Sequence, residues 1–72
     1  MKKRTCYLVC EMAVTNRLTY VRKFRIEGDK VVEVGFAPTF ANHMTLAEAA
    51  LIKRHLIDTG VCSSVKLRSF QN

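Results

Sequence analysis

Three short strands, one helix and a final strand predict a two-layer α+β domain, β-β-β-α-β, with one helix packed on a four-stranded, mainly antiparallel sheet. Three features carry this reading. Polarity alternates with a period of two over 5–14, 18–27 and 31–36; a capping pair opens a helical period at Thr45; and glycines sit where a hairpin would turn and where the helix would stop.

The first strand places Cys6, Leu8, Cys10, Met12 and Val14 on one side and Tyr7, Val9, Glu11 and Ala13 on the other. Thr15-Asn16-Arg17 is a short turn in which Asn16 tolerates a positive φ. The second strand is rich in β-branched and aromatic residues. Its period assigns Leu18, Tyr20, Phe24 and Ile26 to the apolar side, with Arg22 intruding, and Thr19, Val21, Lys23 and Arg25 to the other. Glu27-Gly28-Asp29-Lys30 is a tight hairpin turn, with Gly28 at the position that needs φ > 0. Val32, Val34 and Phe36 then share a face of strand 3, and Pro38 ends the ladder because it has no N–H to donate.

In the order Thr45-x-x-Glu48 the hydroxyl and the carboxylate each satisfy a backbone N–H that a helix start leaves unpaired. Gly60 closes the helix in the left-handed region. Two apolar stripes run along it: Leu46, Ala49, Ile52 and Leu56, and Ala47, Ala50, Leu51 and Ile57. Ala49, Ile52 and Leu56 are expected to face the sheet, which leaves Leu51 and Ile57 for a wide core edge or for a dimer or partner contact. Residues 63–70 form the last strand, with Val65, Leu67 and Ser69 opposite Lys66, Arg68 and Phe70. The expected strand order is 3-2-1-4, with strand 4 parallel to strand 1.

A chain of 72 residues that is 49% hydrophobic, with 3 Gly and 1 Pro, reads as a single folded domain over 1–72 and not as a disordered one. A core this small supplies about 3–5 kcal/mol. Lys2, Lys3 and Arg4 precede an apolar run, but Glu11 interrupts it, so the segment reads as a strand and not as a signal peptide. No apolar run is long enough to span a bilayer. An odd count of 3 cysteines points to free thiols and a cytoplasmic setting.

With 12 basic against 6 acidic residues the chain carries a formal charge of +6, which suits an acidic or polyanionic partner. Lys23, Arg25, Lys66 and Arg68 lie on polar strand sides, and Tyr7 and Phe70 bring rings. If these sides coincide, the open sheet face is a cationic, aromatic platform able to hold single-stranded nucleic acid. The bland alternative is a solvated face that maintains solubility. No RNA-binding aromatic motif or helix-turn-helix pair is present.

The spacing Cys6-x3-Cys10 puts two thiols on one strand face about 13 Å apart, too far for a disulfide. With strand 4 parallel, Cys62 approaches Cys6 and His55, and these three are the zinc candidates; otherwise no cofactor is expected. The glycines are scattered, no carboxylates pair for acid–base work, and Cys62 with His55 lacks an orienting third group, so no enzyme is expected.

The start MKKRTCYLVCEM, the hairpin-linked strands, Met44-Thr45-Leu46-Ala47-Glu48-Ala49 leading into a helix that ends Asp58-Thr59-Gly60, and a short basic strand resemble small phage- or prophage-encoded accessory proteins, among them anti-CRISPR proteins. The resemblance lies in size and element order and carries over no site residues. It implies a non-enzymatic inhibitor in the host cytoplasm. Such an inhibitor is expected to dock on a protein or nucleoprotein complex such as a CRISPR nuclease, and the basic excess, not the resemblance, makes Arg22, Lys23, Arg25, Arg54, Lys66 and Arg68 the candidate contacts. The net charge separates this chain from acidic DNA mimics. The alternative function is a basic module that binds single-stranded nucleic acid on the open sheet face.

Overall fold

The computed structural model describes residues 6–69. The elements are β1 (Cys6–Met12), β2 (Leu18–Glu27), β3 (Lys30–Ala37), α1 (Leu46–Asp58) and β4 (Cys62–Ser69). They form one four-stranded sheet of order β3-β2-β1-β4 with the helix on one face, the expected α+β architecture. Asn16 (φ 59), Gly28 (φ 66) and Gly60 (φ 77) occupy the left-handed region at the three places where the sequence calls for it. At the turn between β2 and β3 only Gly28 of the two central residues has a positive φ, the sign pattern of a type II′ turn, whose twist matches its strands.

Every pairing in the sheet is antiparallel, including β1 with β4, so the expected parallel strand 4 is incorrect. The loop after β3 is the cause. β1 and β2 pair only at Val9–Tyr20, Cys10–Thr19 and Glu11–Leu18 and then part. The loop enters the gap, where the Asn42 N–H donates to the Val21 carbonyl at 3.0 Å and Met44 exchanges two backbone bonds with Cys6, at 2.8 and 3.2 Å. This path carries the chain back to the start of β1 before α1 begins. The helix then runs alongside β1, and after the short Thr59–Val61 turn β4 must return in the opposite sense. The turn is fastened to β1 by the Ala13 N–H donating to the Val61 carbonyl at 3.1 Å.

The capping box forms with both bonds in place: the Glu48 N–H donates to the Thr45 hydroxyl at 3.1 Å and the Thr45 N–H to the Glu48 carboxylate at 2.9 Å. Ala49, Ile52 and Leu56 are the buried helical residues, as their spacing predicts. They meet Cys6, Leu8 and Cys10 of β1, Val21 of β2, Cys62 and Val65 of β4, and Met44 from the inserted loop.

Two irregularities overturn the period-two reading of β2 and β3. The register shifts between Val21 and Lys23, so Arg22 is an extra residue and the strand changes phase there. Before the bulge Thr19 and Val21 face the core and Leu18 is 67% exposed; after it Phe24 and Ile26 face inward. A second shift makes Val32 the extra residue of β3, so Val31, Val34 and Phe36 pack on the core and Val32 is exposed. A charged residue breaking the apolar parity of β2 was the visible trace of the first bulge.

Leu8 is fully buried at the centre of this core. Leu8→Ala therefore costs about 3 kcal/mol, most of the net stability of so small a domain, while Thr45→Ala costs about 1 kcal/mol. Chemical denaturation checks both: equal losses for the two variants would contradict the placement of the core.

Candidate functional site

Residues opposite one another in an antiparallel pair share a face. Tyr7 opposes Arg68, Val9 opposes both Lys66 and Tyr20, and Glu11 opposes both Ser64 and Leu18. Cys6, Leu8, Cys10, Thr19 and Val65 alternate with them and are buried beneath the helix. The face turned away from the helix thus carries Tyr7 and Tyr20 near its centre and Lys66 and Arg68 along β4. Beyond the first bulge, Lys23 and Arg25 reach the same face. Lys23, Arg25, Lys66, Arg68 and Tyr7 thus share one face, while Thr19 and Val21, expected on the same side of the second strand as Lys23 and Arg25, are turned into the core by the bulge.

The two rings lie 6.0 Å apart between centroids and are inclined at 54°, within the range of favourable aromatic pairs. Simple alternation puts Tyr20 in the core, and the phase change at Arg22 places it here instead. The loop after β3 rims the pair. Tyr7, Tyr20, Pro38, Thr39, Ala41 and His43 line an open groove of about 500 Å³. Beside it the Arg22 guanidinium stands 6.0 Å from the centre of the Phe40 ring, at the outer limit of a cation–π contact. Phe70, the other ring expected on this face, lies outside the described residues.

Charge is distributed unevenly across the face. Lys23 bonds Glu33 at 3.3 Å, and Arg25 reaches Glu27 at 3.2 Å and Glu33 at 3.9 Å, so the β2–β3 half is largely compensated. Lys66 and Arg68 form no ion pair among the described residues. The nearest acid on their half, Glu11, accepts a bond from the Ser64 hydroxyl at 3.4 Å. Net positive charge is therefore concentrated on the edge strand β4, beside the rings.

Arg54, also expected at a docking surface, is elsewhere. It pairs with Asp58 at 3.7 Å on the helix. With Leu51, His55 and Asp58 it lines a second open groove, closed on its other side by Asp29, Lys30 and Val31 of the hairpin. Leu51 is half-buried there against the chain's own hairpin, whereas Ile57 is 42% exposed. The helix does not present the two as one apolar face.

The antiparallel β4 separates the three zinc candidates. Cys6 pairs with Ser69 and Cys62 with Met12, six residues apart along β1, or about 20 Å. Cys6 donates instead to the Met44 carbonyl, and Cys62 lies with Cys10. Among the described residues no three His, Cys, Asp or Glu side chains gather as a metal site. All three thiols resist ionisation. Burial, and secondarily Cys62, pushes Cys10 up to about 12; burial and the Glu48 carboxylate raise Cys6; burial raises Cys62 against a bond with Cys10 that lowers it. No family model matches the chain, and comparison with curated proteins and with solved structures returned no match.

A thiol held neutral by the fold stabilises it below the unfolded pKa and ceases to do so as pH climbs toward the folded value. Cys10 should therefore add a loss of stability that begins near pH 9.0 and runs toward about 12. Denaturation curves across this window should fall less steeply for Cys10→Ala than for the parent chain; identical slopes would contradict the placement.

Proposed function

We propose that this is a non-enzymatic binding protein whose working surface is the open face of the sheet, and whose ligand there is single-stranded nucleic acid. The observation that carries the reading is the Tyr7–Tyr20 pair set beside Lys66 and Arg68, two cations that form no ion pair among the described residues. Rings stack on unpaired bases whatever their sequence, and the cations bind phosphates by releasing condensed counterions. The open groove rimmed by Pro38, Thr39, Ala41 and His43 gives a base room to lie against the rings. Among the described residues there is no helix pair to enter a major groove, and an open sheet face suits splayed single strands better than a duplex.

A second surface favours the inhibitor reading that the resemblance implies. Val14 is 93% exposed, Leu18 67% and Val61 38%, all around the β1–β2 turn and the Val61 segment hydrogen-bonded to it. An apolar cluster at one end of a basic domain is suited to a protein partner. In this second reading the chain docks by that end on a host complex such as a CRISPR nuclease and blocks its activity. The two readings place the ligand on different residues, which makes them separable.

Fluorescence anisotropy with single-stranded and duplex oligonucleotides tests the first. Single strands should bind more tightly, and Tyr7→Ala or Tyr20→Ala should cost about 1–3 kcal/mol. Lys66→Gln with Arg68→Gln should lower the slope of log affinity against log salt by about 1.4. Val14→Ser with Val61→Ser should leave this binding unchanged. Absence of binding at physiological salt would remove the nucleic-acid reading. The Val14 and Val61 variant would then be measured against an isolated CRISPR nuclease for inhibition.

A further inference from the structure

The buried end of β1 and β4 holds a group of sulfurs that the binding face does not use. Cys10 and Met12 project to the same side of β1, and the bulge opposite Glu11–Met12 turns Cys62 of β4 toward them. The Cys62 thiol lies 3.9 Å from the Met12 sulfur. Cys10 sits in the same buried cluster as Cys62, and each thiol perturbs the ionisation of the other. Cys10 is fully buried and Cys62 is 3% exposed, while Met12 is half-buried below the exposed Thr59–Val61 turn. Three sulfurs from two strands thus converge where the sheet meets solvent through a single thioether.

The geometry points to a soft monovalent cation site, with Cys10, Cys62 and Met12 as a trigonal sulfur set for copper(I). Thiolate and thioether ligands select copper(I) over harder ions. A trigonal planar ion with metal–sulfur bonds of about 2.3 Å holds its ligands about 4.0 Å apart. The Cys62–Met12 spacing of 3.9 Å already meets that requirement for one of the three sulfur pairs. Zinc is a poorer fit, because it takes four ligands and avoids thioethers. No group of three His, Cys, Asp or Glu among the described residues supplies them.

Binding breaks the two S–H bonds of Cys10 and Cys62 and sends both protons to solvent. Two copper–thiolate bonds form, Met12 contributes a sulfur lone pair, and no electron changes hands. The ion cross-links β1 to β4 next to the turn that ends the helix, so it should also stabilise the fold. Cys6, whose thiol donates to the Met44 carbonyl at 3.3 Å, takes no part and serves as an internal control.

The test is anaerobic titration of the reduced full chain with copper(I) in competition with bicinchoninate, with proton release and thermal unfolding followed in parallel. One copper per chain, two protons released per copper at neutral pH and a raised Tm are expected. Cys10→Ser and Cys62→Ser should each weaken binding on the order of 100-fold, Met12→Leu by about tenfold, and Cys6→Ser not at all. Circular dichroism reports whether each variant is folded. Should the serine variants be unfolded, alkylation of the parent chain decides: copper(I) should slow the reaction of Cys10 and Cys62 more than that of Cys6. Equal binding by all variants, protection of Cys6 alone, capture of all copper by bicinchoninate, or tighter binding of zinc would each overturn the site.

Discussion

The fold depends on a pair of backbone hydrogen bonds between Met44 and Cys6, which seat the end of the β3–α1 loop beside the first residue of β1. A sheet with a free edge inside it would leave N–H and C=O groups unpaired in the core, at a cost comparable to losing the bonds themselves. The loop supplies those partners where β1 and β2 part. It also buries Met44 completely, which gives an irregular segment an apolar anchor. Because the loop has already carried the chain back, the helix starts beside Cys6, ends beside Met12, and β4 has only one direction open to it.

That direction decides the chemistry of both faces. On the outer face it sets Arg68 across from Tyr7 and Lys66 across from Val9, so the uncompensated cations border the ring pair. On the inner face it sends Cys62 to the Cys10 end and leaves Cys6 at the other. A parallel β4 would have exchanged these neighbours. The Arg22 bulge acts alongside it by turning Tyr20 outward and Phe24 and Ile26 inward within one strand.

Local chemistry made much of the fold legible in the sequence. Thr45 and Glu48, Gly28, Gly60 and Asn16 each specify their backbone through hydrogen bonds or φ within a few residues, and each is where that chemistry requires. The buried stripe of Ala49, Ile52 and Leu56 follows from helical geometry alone. The strand order and the sharing of one face by Lys23, Arg25, Lys66 and Arg68 were also readable. What escaped is non-local. The direction of β4 depends on a loop that inserts into the sheet, and nothing in Ala41-Asn42-His43-Met44 marks it as a partner for Cys6. Alternation through β2 assigned Tyr20 to the core because a bulge shifts phase without changing composition; Arg22 among apolar residues was its only mark. The Cys6, Cys62 and His55 grouping failed with the strand direction on which it rested.

The central claim is that one side of this sheet is the working surface. Backbone amide NMR with a titrated single-stranded oligonucleotide tests it most directly. The account predicts shift changes confined to the outer face, at Tyr7, Tyr20, Lys66 and Arg68 and along the Thr39–His43 rim, with Ala50, Lys53 and Ile57 on the helix unmoved. Changes centred on the helix, or spread evenly over every lysine and arginine, would contradict it.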